Sequence, residues 1–408
     1  MLKVCVMTDN PHLRTGMARV GREIATGIYN MGHEVIYIGW YENPPKTHNL
    51  PFRVIDARQQ FFGSDILDSV WRNEQFDVLI TIGDNWRLDY IGDSKRCHTR
   101  RFFQWIAYTA IDGEAFGGGV PFYLRPTYNT PDRMIVYTNW AKEAVLKSMP
   151  EMQSYLGMIY HGVDHNLFKP VDEATRQKIR QKFGCGNRFM FLVVSRNQPR
   201  KNIPEIFKAW KLVSLDKEMD GATLWPHMHF NDPFGASIDQ MIEVYGINTA
   251  NKKNVMYIDA IAHAPREIDM PDDNFMFELY QMADCLVMAG SEGFGLPVLE
   301  AMACRKPVIA LDHSATGELC ADGRGFLVPV QFETTGAYMH EKPWPDYNVL
   351  YQTMKRVMKN KEERDKVAEE GYKFSQNHSW ASKLLEWRDE IEKLEYPLSS
   401  PIELKEVV

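Results

Sequence analysis

Short apolar runs bounded by polar residues alternate along this chain with longer stretches in which apolar positions recur every three or four residues. The first kind reads as buried strands and the second as amphipathic helices, and their alternation predicts parallel sheets wound with helices. In the first half the predicted strands are Lys3–Thr8, Glu34–Gly39, Phe52–Ile55, Asp77–Ile82, Arg101–Tyr108 and Met134–Tyr137. A second series runs Arg188–Ser195, Ala222–His229, Val255–Ile258, Asp284–Met288 and Pro307–Leu311, and the break between the two is Met158–Pro170. Near the C-terminus Trp380, Leu384, Trp387, Ile391 and Leu394 form one apolar stripe at helical spacing, and Pro397–Val408 reads as an extended tail. The chain has no internal repeat and no low-complexity segment.

Composition adds limits. A chain of 408 residues is long enough for two α/β domains with separate cores. A formal net charge of −7 argues against a protein that coats nucleic acid. The six cysteines are far apart and form no Cys-x-x-Cys pair, which reads as buried thiols in a reducing compartment. The N-terminus enters a strand at Leu2–Met7 rather than a signal peptide, and no apolar run approaches the length of a membrane span, so a cytoplasmic location is expected.

The most informative chemistry is the run 290–303, Gly-Ser-Glu-Gly-Phe-Gly-Leu-Pro-Val-Leu-Glu-Ala-Met-Ala. A buried strand precedes it. Gly293 and Gly295 make a tight turn, and Pro297 suits the first turn of a following helix. Phe294, Gly295 and Leu296 have no side chain able to accept the first free N–H groups, which leaves those donors for an anion such as a phosphate. Glu300, about one turn into the helix, would repel a phosphate and suits vicinal hydroxyls such as a ribose diol; Glu292 could do the same for a sugar. The simpler alternative is a loop Glu plus a Glu that complements the helix dipole, and spacing alone does not choose between them.

Glu292, seven intervening residues and Glu300, followed by Lys306-Pro307-Val308-Ile309-Ala310, resemble the donor-site signature of retaining GT-B glycosyltransferases, specifically glycosyltransferase family four. That large family includes sucrose synthase, glycogen synthase relatives and many bacterial mannosyl- and glucosyltransferases. The resemblance implies a GT-B fold of two Rossmann-like, doubly wound domains facing across a cleft. Residues 1–162 with 376–408 would form the acceptor-side domain with a returning C-terminal helix, and 163–375 the nucleotide-sugar domain. It implies retaining, metal-independent transfer of a hexose from a UDP- or GDP-linked donor to an unidentified hydroxyl, with no further cofactor. Arg305 departs from the pattern, standing where the family usually has Gly.

Ser195–Asn202 holds three cations, Arg196, Arg200 and Lys201, just before a helix start marked by Pro204. That sign is wrong for the dipole, so they are expected either to splay into solvent or to gather around an anion. The resemblance assigns Arg196 and Lys201 to the donor pyrophosphate, where they would meet the charge developing on the leaving group. The chain has no Asp-x-Asp triplet of the metal-chelating kind. The loop Asp9–Met17 lacks the Gly-x-Gly-x-x-Gly of a dinucleotide site; the resemblance makes Gly16 a point of backbone approach to the donor phosphates, against a plain loop glycine. Asp112, just past a predicted strand, faces the crevice where parallel sheets bind ligands, although Asp-Gly is also a common turn. By resemblance it would position a sugar hydroxyl and stabilise positive charge at the anomeric carbon.

Other residues carry simpler readings: His161 as a structural residue, and His227 and His229 as a strand pair lacking the third ligand a metal needs. Lys95, Arg96, Arg100 and Arg101 beside Phe102 and Phe103 read as a solvated loop, or as a contact to an anionic acceptor or a membrane surface. The rival functions are a sugar-nucleotide epimerase, a glycan phosphorylase, and an inactive sugar-binding homologue.

Overall fold

The computed structural model describes residues 1–247, 255–263, 271–336 and 339–394. The tail Pro397–Val408 and part of the long segment Asp259–Asp273 lie outside these. The strands are β1 (Lys3–Asp9), β2 (Glu34–Trp40), β3 (Arg53–Ala57), β4 (Val78–Ile82), β5 (Gln104–Thr109), β6 (Arg133–Val136), β7 (Leu156–Met158), β8 (Phe189–Val194), β9 (Ala222–His227), β10 (Cys285–Met288), β11 (Val308–Leu311), β12 (Phe326–Val328), β13 (Val330–Thr335) and β14 (Glu341–Pro345).

One sheet has the order β3-β2-β1-β4-β5-β6-β7 and another β12-β11-β10-β8-β9. The pairings β1 with β2 and β4, and β8 with β9 and β10, are parallel. Strands such as β4 and β10 are buried along their whole length, as sheets covered on both faces require. In each sheet the winding reverses beside its first strand, between β1 and β4 and between β8 and β10. The loops leaving β8 and β10 therefore flank a topological switch point, where open α/β sheets bind ligands.

By their contacts the described residues group into two units: those within 1–109, 126–135 and 383–394 in the first, those within 110–125 and 136–382 in the second. The first unit's core gathers Met7, Ile38, Trp71, Leu79 and Trp105; the second's gathers Phe191, Phe207, Trp210, Leu224 and Val287. Of the C-terminal stripe, Trp380, Leu384, Trp387 and Ile391 lie on the helix Trp380–Glu392, and Leu394 lies just past its end. Within the first unit Trp387 meets Tyr108 edge-on with ring centres 5.0 Å apart, and Arg133 pairs with Glu390 at 2.6 Å.

The predicted strands form with three adjustments. Residues 100–102 make a turn, so β5 begins at Gln104. Val255 makes only an isolated bridge with Leu224 before the short helix Asp259–Ala262. β9 ends at His227, so His229 lies beyond it. The sequence reading did not anticipate β7, β12 or the antiparallel hairpin β13–β14. All six cysteines are free and buried. Among the described residues no helix is long and apolar enough to cross a membrane.

Candidate functional site

The chain leaves β8 through Ser195–Gln198, makes one tight turn at Pro199–Lys201, and enters the helix Ile203–Leu215 through Asn202 in a left-handed conformation, φ 52°. Asn202 is fully buried, and its Nδ2 donates to the carbonyls of Ala289 (3.0 Å) and Pro343 (2.8 Å), pinning this loop to the end of β10 and to β14. The loop after β10 is drawn against it from the other side. The Ser291 N–H donates to the Arg200 carbonyl at 3.1 Å, and the Arg200 guanidinium returns a bond to the Ser291 carbonyl at 2.8 Å. So close an approach requires glycine at 290, where a Cβ would lie 2.4 Å from Lys201 Cα. The two switch-point loops are thus one unit, fixed through backbone and buried amide bonds.

That arrangement puts the predicted charges in one place, with partners the sequence did not suggest. Lys201 is buried and its Nζ pairs with Glu292 Oε1, and also donates to the Ser291 carbonyl at 3.2 Å. Arg200 reaches two carboxylates, Asp112 through Nε at 3.2 Å and Glu292 through an Nη at 3.7 Å. Arg196 turns instead to buried Asp232, 2.6 Å away. All three cations therefore rest on internal carboxylates, partners that the loop's charge alone did not suggest. Burial pushes Lys201 down to about 8, helped by Arg200 and opposed by Glu292. For Asp112 burial works upward, but the charges of Arg200, His340 and Lys201 outweigh it and hold the carboxyl below its usual range.

The helix Leu296–Ala303 begins as expected, with Pro297 in its first turn and no side chain capping it. Gly295 precedes it at φ 94°, a conformation natural to glycine alone. The Glu292 N–H donates to Ser314 Oγ at 3.1 Å, and Ser314 is itself left-handed at φ 52°. Glu300 is buried one turn into the helix, and the Tyr280 hydroxyl donates to its Oε2 at 2.6 Å. Phe294 is a packing residue, buried 4.5 Å from the His161 ring; His161 is driven down to about 3 by burial, so it is neutral and structural. Leu296 is half-buried and Gly293 partly exposed at the same turn.

The segment carrying Asp112 is braced by the hairpin, since the Glu341 N–H donates to the Glu114 carbonyl at 2.7 Å. Gly16 belongs to the first unit, where it opens the helix Gly16–Asn30; the Thr15 side chain caps that helix by accepting from the Ala18 N–H at 3.1 Å. In the basic patch Arg96 pairs with Asp89 and Arg100 with Asp132, each at 2.9 Å, while Lys95 and Arg101 are exposed. Buried His227 packs on Phe275 and is pushed down to about 4 by burial. Arg305 adopts the left-handed conformation a glycine would have supplied, φ 55°, closing the helix Leu296–Ala303.

Sequence reasoning missed Tyr280, Ser314 and Asn202, and gave Arg200 no specific role. Only Arg200 had a visible signal, its place among the loop cations.

Residues 270–374 match the family described as glycosyl transferases group 1. Mannosylfructose-phosphate synthase of Agrobacterium fabrum is 26% identical over 211 residues, 50% of this chain and 43% of that protein. A GDP-mannose-dependent alpha-(1-6)-phosphatidylinositol monomannoside mannosyltransferase of Mycolicibacterium smegmatis is 28% identical over 165 residues, 40% of each chain. The matches span less than half the length of these curated relatives. Among solved structures, Anabaena Alr3699/HepE in complex with UDP and glucose superposes with a TM-score of 0.72 at 17% identity, covering 97% of this chain and 100% of that one. With the two parallel sheets, that likeness identifies the fold as GT-B, built from two Rossmann-like domains.

Proposed function

We propose that this chain, whose residues 270–374 carry the glycosyl transferases group 1 match, is a retaining, metal-independent glycosyltransferase that moves a hexose from a UDP- or GDP-linked donor to an acceptor hydroxyl. The observation that carries the reading is buried Lys201 paired with half-buried Glu292 next to an uncapped helix N-terminus, at the switch point of a parallel sheet. Cations and free N–H groups suit a pyrophosphate, and the adjoining carboxylates suit sugar hydroxyls. One relative is named as a GDP-mannose-dependent mannosyltransferase and another as a mannosylfructose-phosphate synthase, and the Anabaena structure holds UDP and glucose, which supports a nucleotide-sugar donor here.

In this mechanism Arg196, Lys201 and the backbone of Gly293–Leu296 hold the pyrophosphate. Glu300 accepts from the ribose hydroxyls and Glu292 from the sugar. The bond from the anomeric carbon to the phosphate oxygen breaks while the acceptor oxygen bonds on the same face. The acceptor proton passes to the departing phosphate, and the pair of electrons from the broken bond stays on that leaving group, where the cations stabilise it. Asp112 orients a sugar hydroxyl and stabilises the positive charge at the anomeric carbon.

A thermal-shift screen against UDP, GDP and ADP and their common sugars should pick out one donor, since ligand at about a hundred times its Kd stabilises by about 2.7 kcal/mol. Transfer should then survive excess EDTA within about twofold, and proton NMR of early product from an α-linked donor should show an α anomer. No stabilisation by any of these ligands together with no transfer would overturn the reading, an EDTA-abolished rate restored by manganese would refute its metal independence, and a β product would refute retention.

A further inference from the structure

The site holds two carboxylates brought together from separate segments, Asp112 from the stretch after β5 and Glu292 from the loop after β10. Two like charges near one another raise each other's proton affinity, and one of them tends to be neutral. Arg200 sits between them. Its Nε lies 3.2 Å from Asp112 Oδ2 and one Nη lies 3.7 Å from Glu292 Oε2, while the same side chain donates to the Ser291 carbonyl at 2.8 Å. Its backbone is equally fixed, because its carbonyl accepts from Ser291 N–H at 3.1 Å. A guanidinium presents several donors in one rigid plane, so a single anchored arginine can hold both carboxylates at a set spacing, which a lysine ammonium cannot.

We infer that Arg200 is a positioning residue of this site: it bridges Asp112 and Glu292 and fixes the spacing at which they meet a sugar. The inference rests on the transferase reading for its functional meaning, but its physical content does not need it. Arg200 touches no reacting atom in this scheme and differs in role from Arg196 and Lys201, which meet the pyrophosphate. The charged and titratable groups around Asp112 are Arg200 and Lys201 from the loop after β8, Glu292 across Arg200 from the loop after β10, His340 from the turn between β13 and β14, His313 from the loop after β11, and Glu114 on its own segment. With Arg200 removed, Lys201 remains committed to Glu292, so Asp112 loses its nearest cation.

The test is a titration of Asp112 in the ligand-free, full-length protein, read by carbon NMR with labelled aspartate and assigned by the signal's loss in Asp112→Asn. Arg200→Gln should raise its midpoint by about one pH unit or more. Arg200→Lys, which restores charge without the fork, should fall between and guards against a variant that fails to fold. In transfer assays the acid limb of kcat/KM should move up by the same amount in Arg200→Gln, with nucleoside diphosphate affinity unchanged within about twofold. An unmoved Asp112 midpoint in Arg200→Gln overturns the inference. So does a tenfold loss of nucleoside diphosphate affinity with an unmoved acid limb, which would make Arg200 a phosphate ligand. Absence of transfer in the wild type would defeat the transferase reading and leave the titration result standing.

Discussion

If Lys201 meets the pyrophosphate of the proposed donor, binding must depend on pH in a way that can be calculated. Burial has pushed its ammonium down to about 8 in the ligand-free protein, so it is mostly charged at pH 7 and mostly neutral at pH 9. A pyrophosphate binds the charged form. Raising the pH therefore weakens binding, and binding at high pH must draw a proton onto Lys201. With the complex protonated throughout, affinity should fall about tenfold between pH 7 and pH 9, and about 0.9 proton should be taken up per nucleotide bound at pH 9. Tenfold is about 1.4 kcal/mol, within the roughly 1.5–3 kcal/mol that a hydrogen bond to a charged group contributes, so the loss does not exceed what this one contact can supply. The terminal phosphate is not the source of the effect, since its second ionisation lies near pH 6, below this window. Calorimetry of UDP or GDP binding, whichever the thermal-shift screen selects, in two buffers of different ionisation enthalpy gives the proton count directly. Lys201→Arg, which cannot lose its charge, should bind without uptake at pH 9. Equal wild-type affinity at pH 7 and pH 9 with no proton uptake would refute the placement of Lys201 on the pyrophosphate.

Replacing Arg196 and Lys201 together with Ala should lower nucleoside diphosphate affinity and turnover in parallel, and calorimetry beside initial rates would show a split if either residue acts elsewhere. Asp112→Ala should leave nucleoside diphosphate affinity within about twofold while turnover falls about a hundredfold or more; a near wild-type rate would reduce Asp112 to a turn residue. Tyr280→Phe removes the hydroxyl that orients Glu300 at 2.6 Å, so ribonucleotide affinity should fall several-fold while that of the 2′,3′-dideoxy analogue barely changes; equal losses would show that Glu300 does not read the ribose. Arg305→Gly relieves a left-handed residue at φ 55°, about 1 kcal/mol, and forfeits the Glu369 ion pair at 3.1 Å and the contact over Tyr372 at 4.3 Å, also about 1 kcal/mol together. Its Tm should stay within about 2 °C of wild type, and a larger drop would mean that those side-chain contacts outweigh the strain.

The central strands were legible because parallel sheets buried on both faces write themselves as apolar runs. The uncapped helix start after β10 was legible because Gly295 and Pro297 mark it locally. The hairpin β13–β14 was hidden for the opposite reasons. β13 is exposed through Gln331–Thr335 and lacks an apolar run, while β14 contains Pro343 and Pro345, which argue against a strand except at an edge. The partners of the cations were hidden as well. That Arg196 meets Asp232 while Arg200 meets Asp112 depends on contacts over tens of residues, and composition recorded only that three positive charges shared a loop. Arg305 shows the limit of a pattern: the backbone keeps the conformation even where the residue suited to it is absent.

The internal pairing of the three cations also bears on what can bind beside them. Arg196, Arg200 and Lys201 each rest on an internal carboxylate, so an arriving anion must exchange with that carboxylate for its cation. Inorganic phosphate, with only one or two hydroxyls of its own, leaves most of the acceptor positions of the displaced carboxylates unmatched in a partly buried setting, which is unfavourable. A molecule bearing hydroxyls beside its phosphates leaves no such remainder, because its hydroxyls donate to the carboxylates its phosphates have displaced. Selectivity against the cell's abundant simple phosphates can thus arise from stoichiometry of donors and acceptors, before shape is considered at all.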